Sequence, residues 1–269
     1  MKAKGIWTVL WAAGCLAAAV WVGCAVQQPR TSCAQSDLAF GTVEPAAGQP
    51  QENPQQKRVF LTFDDGPSAT TELVLDTLKE KGVKGTFFVV ASENNQNYLH
   101  LIERATQEGH QIALHSCTHE YSSIYASTTA FWADIKELRQ KISPYTDVDR
   151  IHWLRFPGGS TNTVSHKYGG SSIMKTLKAQ AAEKGYRYID WNVCANDAVG
   201  GHPSADTIYH NVVDSVQDRA DAVVLMHDTK ATKTTAEALP DIIDWFAAQG
   251  YTFCTLDAMD GDEAQPTAS

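Results

Sequence analysis

The chain has no cluster of lysine and arginine. Its 269 residues carry 22 basic against 31 acidic side chains, and the first 35 hold three of the basic ones and no acid. The body is therefore strongly acidic, with no grouped cations to neutralise phosphates, which excludes a nucleic-acid partner. The six cysteines match no zinc-ribbon spacing. No internal repeat is present, so the body is one sizeable domain or at most two small ones, not an array. Nothing in the sequence implies a protein partner. Only one long apolar run exists, Gly5 to Val26, preceded by Lys2 and Lys4.

That run has about the length of a bilayer span, and the flanking lysines would stay inside. Residues 1–26 are thus expected to be a signal sequence or membrane anchor, with the body exported and tethered to the outer face of the cytoplasmic membrane. An uncleaved anchor is the first reading. A lipoprotein is the second, since Cys15 and Cys24 sit in box-like contexts that lack the preferred leucine, and a secreted protein is the third. Residues 27–56, rich in Gln, Pro, Ser, Ala and Gly, read as a flexible linker. The small, acidic end, 258–269, reads as a disordered tail, which leaves 57–257 as the folded domain.

Within that domain, short apolar runs alternate with amphipathic stretches. The expected strands are Val59–Phe63, Thr86–Val90, Gln111–Leu114, Trp153–Phe156, Tyr186–Asp190, Ala222–Met226 and Tyr251–Cys254. The helical stretches between them repeat apolar residues at helical spacing, as in Leu73, Leu75 and Leu78, and four end in glycine at Gly82, Gly109, Gly185 and Gly250. This order predicts a parallel α/β fold of about seven strands, closed or nearly closed into a barrel, with its working residues at the strand carboxyl ends.

Five polar clusters fall at those ends: Asp64-Asp65, His115 to His119, Arg155 to Gly159, Asp190 to Asp197, and Leu225 to Asp228. Taken singly, each has an ordinary explanation: a turn for Asp-Asp-Gly, a surface pair for Arg155, a satisfied core histidine for His227. Their shared rim gives them a joint meaning. Two adjacent carboxylates raise each other's pKa unless a cation intervenes. His115 and His119 stand at i, i+4 spacing, which on a helical turn would aim both imidazoles at one ion. Ser116 occupies the place where a zinc peptidase carries its glutamate base, so the base must come from elsewhere, and Asp64-Asp65 offers one. Two histidines and one carboxylate leave a coordination position open for water. His100, His110, His152, His166, His202 and His210 have no such company and read as structural or exposed. Trp191, Tyr121, Tyr125 and Trp132 are candidates for a sugar groove, although aromatics of this kind are more often core. Cys117 and Cys194 each lie inside a motif, so a bridge between them is one expectation and small buried thiols the other.

Thr62-Phe63-Asp64-Asp65-Gly66-Pro67, the His115/His119 pair, Arg155-Phe156-Pro157 and Leu225-Met226-His227-Asp228 together resemble the polysaccharide deacetylases, carbohydrate esterase family 4. The resemblance covers about residues 57–257. It implies a distorted (β/α) barrel and a divalent metal, usually zinc, with cobalt, manganese or nickel as alternatives. The implied reaction removes N-acetyl groups from amino-sugar polymers such as peptidoglycan. O-acetyl removal from xylan, action on chitooligosaccharides, or plain polysaccharide binding on the same scaffold are the alternatives. By this resemblance Asp65, His115 and His119 would hold the metal, Asp64 would be the base with Arg155 beside it, and His227 the acid oriented by Asp197, with Asp190 less favoured. Gly158, through its backbone N–H, together with Pro157, Leu225 and Trp191, would meet the oxyanion and substrate. Gly158 and Ala198 depart from the family, standing where many relatives carry aromatic residues.

Overall fold

The computed structural model describes residues 56–260. The expected anchor, nearly all of the linker, Cys15, Cys24, Cys33 and the chain beyond residue 260 lie outside the described residues. The strands are β1 Arg58–Asp64, β2 Thr86–Val90, β3 Gln111–Ser116, β4 Trp153–Leu154, β5 Arg187–Tyr188, β6 Val193–Cys194, β7 Asp221–His227 and β8 Thr252–Phe253. The helices are α1 Ala69–Lys81, α2 His100–Gln107, α3 Tyr121–Ile124, α4 Thr128–Ile142, α5 His166–Gly169, α6 Ile173–Glu183, α7 Ala205–Val216 and α8 Lys233–Ala248. Seven strands pair in the order β5-β4-β3-β2-β1-β7-β6, all in parallel, and β8 adds to β1 at Arg58 and Val59. The sheet curls into a distorted (β/α) barrel, as the order of elements predicts.

Strand alternation divides the core in two. Val59, Leu61 and Phe63 of β1 face outward and join the larger apolar cluster under the helices. Phe60 of β1 faces inward and meets Phe88, Ala113, Trp153 and Val223 in a smaller cluster inside the barrel. Counting on by twos from these inner residues reaches Thr62 and Asp64, His115, Arg155, and Leu225 and His227. One parity rule thus carries polar side chains to the inner face at the carboxyl ends of four strands.

Several boundaries differ from the sequence reading. Strands β4, β5 and β8 keep two residues each, and β6 is an additional short strand. The chain around them is held by side-chain hydrogen bonds, which leave no trace in hydrophobic pattern. Helix α1 buries Leu75 and Leu78 as expected, but Val74 takes the third place in the stripe and Leu73 is 41% exposed. The helix starts at a Ser68 capping box with Thr71 and stops at Gly82 in the left-handed region, as its sequence requires. The last described turn, Leu256–Asp260, continues past the expected boundary at 257. Cys194 is disulfide-bonded, but Cys117 is a buried free thiol, so the expected Cys117–Cys194 bridge does not form. Burial pushes the Cys117 thiol up to about 11, which makes it inert packing.

Candidate metal and acid-base site

Strand β1 delivers the two aspartates in opposite ways. Asp64 is the last strand residue and is almost fully buried. Asp65 leaves the strand with φ of 72°, a left-handed conformation that turns its carboxylate into the mouth of the barrel. Its backbone is tied down on both sides: the N–H donates to Phe88 O at 3.2 Å, and Asn95 Nδ2 donates to its carbonyl at 3.0 Å. The following Gly66 is demanded by space, because a Cβ there would run into the Asp228 carboxylate. Asp228 is buried and accepts from Thr71 Oγ1 at 2.6 Å, which ties the start of α1 to the end of β7.

The two histidines are brought together without a helical turn. His115 is on β3, and the chain then reverses so that His119 sits at φ 58°. The i, i+4 spacing is therefore spanned by a tight loop, which corrects the helical geometry expected from sequence. Asp134 of α4 builds this loop. Its Oδ2 accepts from Ser116 Oγ at 2.8 Å and Cys117 N at 2.7 Å, and its Oδ1 from Thr118 N at 3.0 Å and Thr118 Oγ1 at 2.8 Å. Ser116 Oγ in turn accepts from His119 N at 2.8 Å. Sequence reasoning missed Asp134. A trace was present, since this acid stands three residues from Phe131 and next to Ile135, inside the apolar stripe of an amphipathic helix.

Asp65 Oδ1 lies 3.3 Å from both His115 Nε2 and His119 Nε2. His115 Nδ1 is 2.7 Å from the Arg155 carbonyl, to which it donates, so Nε2 is the ring nitrogen that faces Asp65, and in the neutral ring it presents a lone pair there. Asp65 Oδ1 is buried with no hydrogen-bond partner. A buried carboxylate oxygen facing imidazole lone pairs is costly unless a cation lies between them. The three ligand atoms lie within 4.8 Å of one another, the one such cluster among the described residues. The donor set fits a divalent ion, and the buried Asp65 oxygen is the observation that says so. Burial works against a charge on His115, but Asp64 and Asp65 raise its pKa, a pull toward the proton that a bound cation would replace. Burial opposes the charge on Asp65, yet His119 and His115 hold its carboxyl well below the usual range. Burial lowers His119, which favours the neutral ring that a metal needs.

Arg155 is fully buried at the end of β4. Its Nη1 donates to Asp64 Oδ1 and Thr62 Oγ1, both at 2.8 Å, Nε to Ile189 O and Nη2 to Asp190 O, both at 3.1 Å. The guanidinium also lies 4.1 Å from the Phe88 ring centroid, so every direction around it is filled. Asp64 therefore has one oxygen on Arg155 and the other 3.9 Å from His115 Nε2, facing the metal cluster.

His227 ends β7 beside Asp64, its register partner. Its Nδ1 is 2.8 Å from Asp197 Oδ1, while Asp197 Oδ2 accepts from His227 N at 2.7 Å and from Thr235 Oγ1 at 2.8 Å. Burial alone would lower His227, but Asp197 first, then Asp65 and Asp64, raise it to about 10. Asp190 is occupied elsewhere, accepting from Ser160 N and Oγ at 2.8 and 2.6 Å. Gly158 stands on the same rim with φ of 78°. Pro157 is buried, its carbonyl accepting from Tyr125 Oη at 2.7 Å, and Leu225 is only 5% exposed. Trp191 is half-buried above Arg155, with its ring centroid 5.7 Å from the guanidinium. Tyr125 is core, and Trp132 lies away from the rim, stacked on Tyr186 and donating to Gln180. A cleft of about 700 Å³ opens from Asp65 and His119 toward Ser92, Asn94, Tyr98 and Lys230.

A sequence profile of the polysaccharide deacetylase family matches residues 51–189. The peptidoglycan-N-acetylglucosamine deacetylase PgdA of Listeria monocytogenes is 35% identical over 210 residues, which cover 78% of this chain and 40% of that protein. A peptidoglycan-N-acetylglucosamine deacetylase of Bacillus cereus is 25% identical over 268 residues, with 94% of this chain and 92% of that one covered. Among solved structures, the catalytic domain of peptidoglycan N-acetylglucosamine deacetylase from Eubacterium rectale superposes with a TM-score of 0.72 at 38% identity. That match covers 79% of this chain and 94% of the other.

Proposed function

The chain belongs to the polysaccharide deacetylase family, and from that premise we propose that it removes N-acetyl groups from peptidoglycan amino sugars. The single observation that carries the reading is the pairing of Asp64, held by Arg155, with the Asp65, His115 and His119 cluster on one side and His227–Asp197 on the other. An amide has a poorly electrophilic carbon and a poor leaving group, so its hydrolysis needs help at both ends. A divalent ion on Asp65, His115 and His119, zinc by the chemistry of two imidazoles and a carboxylate, supplies Lewis acidity when bound.

The remaining work falls to the chain itself. Asp64 Oδ2 faces the cluster and takes the proton of the attacking water, while Arg155 holds Oδ1 and fixes the carboxylate plane. The Gly158 N–H donates to the oxygen on which negative charge develops. His227, kept protonated by Asp197, gives its proton from Nε2 to the departing amine. Trp191, Pro157 and Leu225 shape the apolar wall against which the acetyl methyl rests.

The peptidoglycan assignment draws support from the named activities of the relatives and from the N-terminal sequence. The apolar run 1–26 and linker 27–56 would tether domain 57–257 outside the cytoplasmic membrane, next to its own polymer. The test is acetate release from purified peptidoglycan, N-acetylglucosamine oligomers and acetylxylan, with free amino sugars quantified after digestion. Chelation and Asp64→Asn should each abolish release, and zinc should restore the chelated enzyme. Acetate from none of the three polymers would refute the reading, and acetate without new amines would redirect it to O-acetyl groups.

A further inference from the structure

Position 158 carries glycine, and the space its side chain would take is already filled. A Cβ on Gly158 would lie 2.6 Å from Tyr121 Oη and 3.4 Å from Tyr121 Cε1. Tyr121 comes from a different part of the chain, the first residue of α3 and two residues past His119. Its ring meets His119 edge-on at 5.6 Å and Tyr125 at 5.6 Å. Tyr125 is itself anchored through its hydroxyl to the Pro157 carbonyl. The phenol is thus clamped between the histidine loop and the end of β4, and Gly158 at φ 78° is what lets it approach.

The position has chemical consequences. Among the described residues, neither the Gly158 N–H nor the Tyr121 hydroxyl is spent on a protein acceptor. Both sit on one wall beside the Asp65, His115 and His119 cluster. The phenol carries an O–H donor that the packing of His119, Tyr125 and Gly158 around its ring holds in place. A donor fixed by packing requires no reorganisation when charge appears in front of it, which is where such groups contribute most.

We propose that Tyr121 is a catalytic residue whose hydroxyl donates a hydrogen bond to the acetyl carbonyl oxygen of the substrate, beside the Gly158 N–H, as negative charge develops there. No bond to Tyr121 forms or breaks, and its proton stays on Oη. The inference rests on the deacetylase reading and adds to it a donor that the departure at Gly158 would otherwise leave unexplained.

The experiment compares the full chain, loaded with zinc, as wild type, Y121F, G158A and the double variant, on the N-acetylglucosamine pentamer. Y121F should lower kcat on the order of 10²-fold, with KM within about twofold, because a lost transition-state donor acts on kcat. Zinc stoichiometry and thermal midpoint should match wild type. An unchanged kcat overturns the proposal, as does a rise in KM alone, which would place the hydroxyl on the sugar. Loss of zinc or of the cooperative thermal transition in Y121F overturns it too, by making Tyr121 a packing element. G158A should lower the thermal midpoint less in Y121F than in wild type, and equal losses would show that the two positions do not share one volume. A wild type that releases acetate from none of the pentamer, peptidoglycan and acetylxylan defeats the deacetylase reading and this inference together, and where only one polymer is turned over the variants are compared on that one. Acetate release by the wild type with Y121F at full kcat defeats the inference alone.

Discussion

The centre and the edges of the sheet position their residues by different means. Strands β1, β3 and β7 run six or seven residues, and each carries a polar group of the site at its last or next-to-last position, Asp64, His115 or His227. Strands β4 and β6 have two residues each, and the groups near their ends, Arg155 and Asp197, make several side-chain bonds apiece. Backbone register aims the central residues, and hydrogen-bond networks aim the peripheral ones. The groups proposed to move protons stand on the rigid ladder, while those proposed to orient them stand on the thin margin. Damage at the centre should therefore abolish chemistry with the fold intact, whereas damage at the margin should cost orientation, stability or both.

Asp64→Asn is the sharpest test of the central half. Acetate release should fall on the order of 10³-fold, the usual reach of a general base, with zinc content and thermal midpoint unchanged. A parallel loss of metal would show that Asp64 is a ligand, and the division between centre and margin would dissolve. Arg155→Met tests the margin. It leaves Asp64 buried without its partner, so urea denaturation should show a loss of about 3–5 kcal/mol together with lost turnover. Full stability in that variant would mean the sheet alone holds Asp64.

Asp197→Asn should act on proton donation. With Asp197 in place His227 lies raised, at about 10, so the protonated form persists through neutral pH and is lost only as pH rises toward that value. Without the carboxylate the acid form is lost at lower pH. The alkaline limb of the kcat profile should therefore move toward neutrality, with kcat at pH 7 lower on the order of 10-fold to 10²-fold. An unmoved limb would assign the acid to another group. Asp134→Ala should weaken zinc affinity by about 10- to 100-fold, in the manner of outer-shell partners, as read by competition with a chelating dye. His210→Ala, on an exposed face of α7, should change stability by less than about 0.5 kcal/mol and leave turnover alone.

The same division explains what could be read from the sequence. Val59–Phe63, Thr86–Val90 and Ala222–Met226 are continuous apolar runs, and buried parallel strands must be written that way. Asp64 and His227 follow directly because they stand at the ends of the first and third of those runs. Strands β4, β5 and β6 are too short to have a period, so their limits were unreadable. Asp134 was hidden for a related reason. Its purpose is to satisfy four donors of a loop some sixteen residues back, and no local pattern encodes a long-range cap. Leu73 misled because helix periodicity tolerates an apolar residue on the solvent side. The left-handed backbone at Asp65 and His119 was invisible too, since both residue types visit that region in many settings and nothing local marks which of them does so here.

The register between β1 and β7 sets Asp64 opposite His227. Neighbouring strands keep a spacing of about 4.8 Å whatever their side chains. The distance between proton acceptor and proton donor is therefore a property of the peptide backbone, inherited from the sheet and insulated from the loops around it. Loops that meet the polymer away from the acetyl group can change while the interval between base and acid stays constant. The fold separates what is recognised from what is done to it, and evolution can tune the first without renegotiating the second.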